Sequence, residues 1–145
     1  MMNKLVPAFA LSFCMLGASF AALAEVPRTA APENASVYII EPKDGATVDK
    51  TFTVRFGLKG MGIAPAGVDA PDTGHHHLLI DLDQLPAMNG PLPATENVVH
   101  FGKGQTETEL TLAPGKHTLQ LLLGDKNHVP FDPPVLSKKI TVTVK

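Results

Sequence analysis

Apolar residues alternate with polar ones in several short stretches of the chain, which is the spacing of half-buried β-strands. Residues 51–58 (TFTVRFGL) show this alternation most clearly. On a strand, one face would carry Phe52, Val54, Phe56 and Leu58. Residues 36–41 (SVYIIE) form a β-branched run that is closed by the turn residues of PKDG. No segment of ten or more residues beyond residue 35 has helical spacing. The pattern therefore predicts an all-β protein.

Five further stretches have the character of strands: residues 76–82, 97–101, 106–112, 116–123 and 137–144. Turn residues separate them, as in Ala113-Pro114-Gly115. About seven short strands in one ordinary domain are typical of an immunoglobulin-like antiparallel β-sandwich. A small closed barrel is the alternative.

The first residues indicate export. Lys4 precedes an apolar run over residues 5–23, which ends in the small-x-small sequence Ala22-Leu23-Ala24. We predict a cleaved signal peptide over residues 1–24, a flexible lead-in over 25–35 rich in Ala and Pro, and one sandwich domain over 36–145. A membrane-spanning helix is the rival interpretation, but Pro7 and Gly17 interrupt the run and no stop-transfer pattern follows. We therefore expect a periplasmic or secreted protein that is not inserted in the membrane after cleavage.

Composition excludes several kinds of chemistry. Cys14 is the only cysteine and lies in the predicted leader, so the mature chain would have no disulfide, thiolate ligand or cysteine nucleophile. Without Lys4 the chain keeps 11 basic and 14 acidic residues. This balance gives no basic face for nucleic acid, and no amphipathic helix marks a membrane surface.

The histidines carry the candidate chemistry. In a sandwich of this topology, the loops after the second, fourth and sixth strands gather at one end. The triplet His75–His77 enters the third predicted strand, His100 ends the fourth, and His128 lies in the last of these loops. We expect these five histidines to converge, whereas His117 should lie at the opposite end near Asp81 as a structural residue.

Strand alternation divides the triplet, since side chains two apart share a face and stand roughly 6 to 7 Å apart. His76 would face the core, together with Leu78, Ile80 and Leu82. His75 and His77 would share the other face, where His100 and His128 could complete a copper or zinc site. The residues that could support such ligands by hydrogen bonding to a ring nitrogen are His76, Gln105, Glu107 and Asp125. A shift of one residue in the strand would exchange His76 for the His75 and His77 pair.

Four motifs resemble those of a family of small secreted bacterial domains with no established biochemical role. They are GHHHLLID at residues 74–81, HFGKGQTE at 100–107, PGKHTLQLLLGD at 114–125 and HVPFDPP at 128–134. The resemblance extends over about residues 36–144. It implies a periplasmic domain with a histidine-rich site, and it implies no reaction.

Three functions fit these residues. The first is a periplasmic metal-binding protein that acts as a copper or zinc buffer, or as a carrier to a periplasmic partner protein. The second is a metal-dependent hydrolase with Glu107 or, less well placed, Asp125 as its base, although the chain has no HExxH motif and no catalytic residue is assigned. The third is an adhesion or scaffolding module whose histidines sense pH.

Overall fold

The computed structural model describes residues 26–145, and it confirms an all-β, immunoglobulin-like sandwich. The predicted leader lies outside these residues. Within them, no helix is long and apolar enough to cross a bilayer. The nine strands of the described part are β1 (Ser36–Glu41), β2 (Thr47–Val48), β3 (Thr51–Lys59), β4 (Gly62–Ile63), β5 (Thr73–Ile80), β6 (Val98–His100), β7 (Glu107–Thr111), β8 (Gly115–Gly124) and β9 (Ile140–Val144).

The strands form two sheets. One has three strands in the order β1-β3-β7, and the other has the order β2-β9-β8-β5-β4, with β6 paired to β5. The seven longer strands correspond to the seven predicted ones. Two pairs depart from the expected antiparallel arrangement, because the two-residue strands β2 and β4 run parallel to β9 and β5.

The main core lies between the two sheets. Alternation along β3 buries Val54 and Phe56, while Arg55 between them is exposed. On β5, Leu78 and Ile80 belong to the same core, as the sequence predicts. The remaining buried members come from both sheets, from the residue after β6 and from the segment before β9: Val37, Phe101, Leu119, Leu121, Leu123, Phe131, Val135 and Val142.

A second apolar cluster covers the outer face of the larger sheet. Its buried members are Leu79, Leu92, Val98 and Leu122, and the partly buried Leu82, Met88 and Leu136 pack against them. Strand β5 is therefore buried on both faces, which explains why its second half, Leu78–Ile80, is apolar without a polar alternation. Leu82 was wrongly expected on the core face. The strand ends at Ile80, and Asp81 takes a positive φ of 53°, so that Leu82 joins the outer cluster instead.

The segment expected to be a flexible lead-in makes hydrogen bonds to the domain from Arg28 onward. The amide of Ala31 donates to the carbonyl of Asp132 at 2.9 Å, and the amide of Asp132 donates to the carbonyl of Thr29 at the same distance. Ala30 and Asp132 thereby form a parallel bridge. Backbone pairing of the domain thus begins before residue 36.

Candidate metal site

The histidine triplet lies inside the sheet. Strand β5 begins at Thr73, three residues before the predicted start, so that all three imidazoles are strand residues. His75 and His76 are 0% exposed and His77 is 1% exposed. Alternation separates them as expected, since His76 packs against Phe56 of the facing sheet with ring centroids 5.1 Å apart. His75 and His77 share the opposite side of β5.

Sheet pairing brings His100 to this pair. His77 and His100 are directly opposite each other on β5 and β6, and their ring centroids are 5.1 Å apart. The His75 ring is 4.9 Å from that of His77 and 5.0 Å from that of His100. Cross-strand neighbours of this kind are held by the backbone ladder rather than by flexible loops.

His128 completes the group from the loop after β8. Its ring centroid is 4.6 Å from that of His100, 5.1 Å from that of His75 and 6.2 Å from that of His77. His128 has a φ of 67°, a left-handed conformation that histidine adopts more readily than most residues. The structure thus brings together the four predicted ligands His75, His77, His100 and His128, which we call the histidine cluster.

Three members of the histidine cluster have the spacing of a metal-binding group. His75, His100 and His128 can each offer one ring nitrogen such that all three nitrogens lie within 4.8 Å of one another. Bonds of about 2.0 to 2.1 Å to a tetrahedral zinc ion place nitrogen ligands roughly 3.4 Å apart. The nitrogens would therefore have to approach one another by up to about 1.4 Å (4.8 Å less about 3.4 Å) to bind an ion. His77 adjoins this group without meeting the same mutual distance.

Most ring nitrogens of the histidine cluster have no hydrogen-bond partner within residues 26–145. Both nitrogens of His75 and His77, and Nε2 of His100, are buried without a hydrogen bond to any residue from 26 to 145. Buried polar groups in folded proteins are nearly always paired, so such a group calls for an explanation. A bound cation would supply it. Both nitrogens of His76 are also unpaired, and the site does not account for them.

Burial keeps the imidazoles of His75, His77 and His100 neutral near pH 7. Burial chiefly, together with repulsion from the neighbouring imidazoles, lowers the pKa of His75 to about 4 and that of His77 to about 3. Burial and the proximity of His128 also lower the pKa of His100. A neutral imidazole presents the lone pair that a metal ion requires. His75, His77 and His100 thus need little proton release before they can coordinate an ion.

The other candidate residues do not hydrogen bond to the histidine cluster. Asp125 is buried near His75, but its oxygens accept hydrogen bonds from Thr29 and from backbone amides of its own loop. Glu107 is exposed on the opposite sheet and pairs with Arg55 at 3.0 Å. Gln105 accepts a hydrogen bond from the amide of Lys103 in a turn. The carboxylate proposed as a hydrolytic base, Glu107, is thus engaged elsewhere.

His117 is structural, as the sequence predicts. Its Nδ1 lies 2.6 Å from Oδ2 of Asp81, and its Nε2 lies 2.8 Å from the carbonyl oxygen of Ala113. The hydrogen bond to Asp81 raises the pKa of His117. This residue lies at the far end of β8 from Gly124 and serves as a natural control for the histidine cluster.

Two glycines that shape the site were not predicted. A Cβ atom on Gly124 would lie 2.7 Å from Cε1 of His77, and one on Gly102 would lie 2.3 Å from Cε1 of His100. Gly102 lies close to His100 in the sequence, but Gly124 is far from His77, and a steric role for either requires knowledge of the ring positions.

Fold and site together define an all-β, immunoglobulin-like domain with a buried histidine cluster that could hold a metal ion. The chain belongs to the DUF4399 family, described as a domain of unknown function, whose profile matches residues 54–145. This match confirms the expectation of an uncharacterised domain family. A comparison with curated proteins gave no match.

Three solved structures resemble the chain in overall shape. An endo-beta-1,4-mannanase from Thermotoga petrophila is 20% identical with a TM-score of 0.44, over 78% of this chain and 20% of that one. The fibronectin(III)-like modules of Clostridium thermocellum CbhA are 14% identical with a TM-score of 0.38, over 74% of this chain and 92% of that one. The PKD domain of human KIAA0319 is 13% identical with a TM-score of 0.40, over 87% and 92%. The chain spans only about a fifth of the mannanase structure.

Proposed function

We propose that this protein is an exported metal-binding protein that holds a copper or zinc ion at the histidine cluster. The observation that carries the proposal is the group of three ring nitrogens, from His75, His100 and His128, that lie within 4.8 Å of one another. They come from β5, from the end of β6 and from the loop after β8. Packing alone does not require three chain-distant imidazoles to converge with unpaired nitrogens.

The ligand chemistry suggests copper or zinc. Imidazole nitrogen suits both ions, whereas magnesium and calcium prefer oxygen ligands. The absence of cysteine after the predicted leader argues against a blue-copper electron carrier. Glu107, the carboxylate predicted as a hydrolytic base, is exposed on the other sheet and pairs with Arg55 at 3.0 Å, which favours storage or transfer of the ion over hydrolysis. We infer a buffer, or a carrier that delivers the ion to a periplasmic partner protein.

Direct titration tests the proposal. The protein without its leader, purified without a histidine tag, should bind one equivalent of Cu²⁺ or Zn²⁺ in competition with a chromophoric chelator, with a Kd below about 10 µM. Replacing one ligand with His100→Gln or His128→Asn should weaken binding by at least about tenfold, since each removes one metal–nitrogen bond. Asparagine is chosen at position 128 because it also tolerates the left-handed backbone.

The matched control is His117→Gln at the opposite end of the molecule, which should leave the affinity unchanged. Loss of binding in this control to the same extent as in His100→Gln would indicate a nonspecific effect of histidine removal. If the wild-type protein binds neither ion more tightly than about 10 µM, the proposed function is wrong.

A further inference from the structure

Asp125 organises the loop that presents His128. Its Oδ1 accepts hydrogen bonds from the amides of Asn127 at 2.8 Å and Val129 at 3.0 Å, which flank His128 on both sides. The backbone amide of Asp125 donates to the carbonyl of Val129, and the amide of His128 donates to the carbonyl of Asp125, both at 2.9 Å. These four hydrogen bonds form a closed turn. They fix the left-handed backbone from which the His128 ring reaches the histidine cluster.

The other carboxylate oxygen of Asp125 is held by the N-terminal segment. The hydroxyl of Thr29 donates to Oδ2 of Asp125 at 2.8 Å, across 96 residues of sequence. Asp125 is only 5% exposed. Without the Thr29 hydroxyl, its carboxylate would be buried with one oxygen lacking this hydrogen bond, which is energetically unfavourable.

Arg28 fastens the same segment to the residues that follow His128. Its Nε donates to the carbonyl of Pro130 at 3.1 Å, and its guanidinium also donates to the carbonyl of Phe131 and to the carboxylate of Asp132. The guanidinium therefore spans three consecutive residues of the loop. The N-terminal segment is joined to both sides of His128, through Asp125 before it and residues 130–132 after it.

We propose that residues 28–31 are a clasp that positions His128, with Thr29 and Asp125 as the positioning residues. The proposal deepens the proposed function and rests on it where it concerns metal affinity. The clasp holds the one cluster member that comes from a loop, while His75, His77 and His100 are fixed by the sheet. If docking of the clasp favours metal binding by His128, then metal binding by His128 must favour docking of the clasp to the same extent.

The first test uses the metal-free protein and a matched pair of variants. Thr29→Val removes the hydroxyl at nearly constant shape, and Thr29→Ser keeps it. Amide hydrogen exchange at Asn127, His128 and Val129 should become at least about fivefold faster in Thr29→Val, which corresponds to the loss of one hydrogen bond. In Thr29→Ser it should stay within about twofold of the wild type. Equal exchange rates in the two variants would overturn the clasp.

The second test measures Zn²⁺ affinity and the His128 ring signals in two-dimensional NMR. Thr29→Val should bind at least about threefold more weakly than wild type, with smaller zinc-induced shifts of the His128 ring, and Thr29→Ser should restore both. Zinc should in turn slow exchange of the Ala31 amide in the wild type. Wild-type affinity and ring shifts in Thr29→Val would overturn the role of the clasp in binding. If the wild type binds no metal, the proposed function fails, whereas the exchange result in the metal-free protein still decides whether the clasp exists.

Discussion

Gly102 leaves open the space that the His100 ring occupies. A methyl group at this position would lie 2.3 Å from Cε1 and 2.7 Å from Nε2 of His100. The ring is the end of a side chain and can rotate away, so the substitution should displace the ligand rather than disrupt the fold. The sequence showed a glycine near a histidine but gave no sign that the two are in contact.

We therefore expect Gly102→Ala to weaken zinc binding by about tenfold, because metal sites are sensitive to small displacements of a ligand. The free energy of unfolding should change by less than about 1 kcal/mol. Chelator competition and urea denaturation measure the two quantities. Gly90→Ala is the matched control, since no atom lies within 4 Å of a Cβ placed there. Unchanged affinity in Gly102→Ala would show that His100 need not occupy its present position.

At the scale of elements, strand β5 shows both the strength and the limit of sequence prediction. Period-two alternation correctly separated His76 from His75 and His77, because a backbone pleat follows from local geometry alone. The same reasoning failed at Leu82, where Asp81 leaves the extended conformation. It also missed the outer apolar cluster and the pairing of β6 with β5. Those features depend on irregular segments and long-range packing, which no local pattern records.

The alternation on β5 predicts that His76 is not a ligand. His76→Leu replaces a buried imidazole, with two unpaired nitrogens beside Phe56, by an apolar side chain of similar size. The free energy of unfolding at pH 7 should stay the same or rise by about 1 to 3 kcal/mol, because an unsatisfied buried group is removed. Zinc affinity should stay within about twofold of the wild type. A tenfold loss of affinity would place His76 in the site and shift the strand assignment by one residue.

At the scale of the whole molecule, the expected strand topology predicted more of the candidate site than any sequence motif did. The position of strand ends in a sandwich predicted that three separate parts of the chain would meet, and His75, His100 and His128 do so. Gln105 and Glu107 were expected to support the ligands, yet the side chain of Gln105 hydrogen bonds within a turn and that of Glu107 pairs with Arg55 on the other sheet. The clasp over residues 28–31 was missed because its composition resembled that of a linker.

The buried triplet should make the whole domain sensitive to acid. The pKa values of His75, His76 and His77 are lowered from 6.5 to about 4, about 4 and about 3, chiefly by burial. Below pH 6.5 the unfolded chain therefore binds more protons than the native state. The stabilising contribution is complete above pH 6.5 and is lost as the pH falls towards these lowered values, at up to about 1.4 kcal/mol per pH unit for each histidine.

Denaturant titration of the EDTA-treated protein between about pH 7 and pH 4 measures this loss. His76→Leu should make the dependence shallower by one histidine, and His117→Gln should leave it unchanged below about pH 6. The raised pKa of His117 stabilises the fold below pH 6.5 and loses that effect only as the pH rises through the raised value. A free energy of unfolding that stays constant with pH would contradict the burial of three neutral imidazoles.

The two chain ends of the domain lie at opposite poles. Strand β8 runs from Gly115, paired with Val144 near the C-terminus, to Gly124 beside His75, a span of about 30 Å at the usual rise of a strand. The N-terminal residues 28–31 dock next to the loop of His128, as described for the clasp. An affinity tag of consecutive histidines fused ahead of residue 28 would thus place additional imidazoles next to the histidine cluster, where metal binding is to be measured. A tag fused after Lys145 would lie a full strand length away from it.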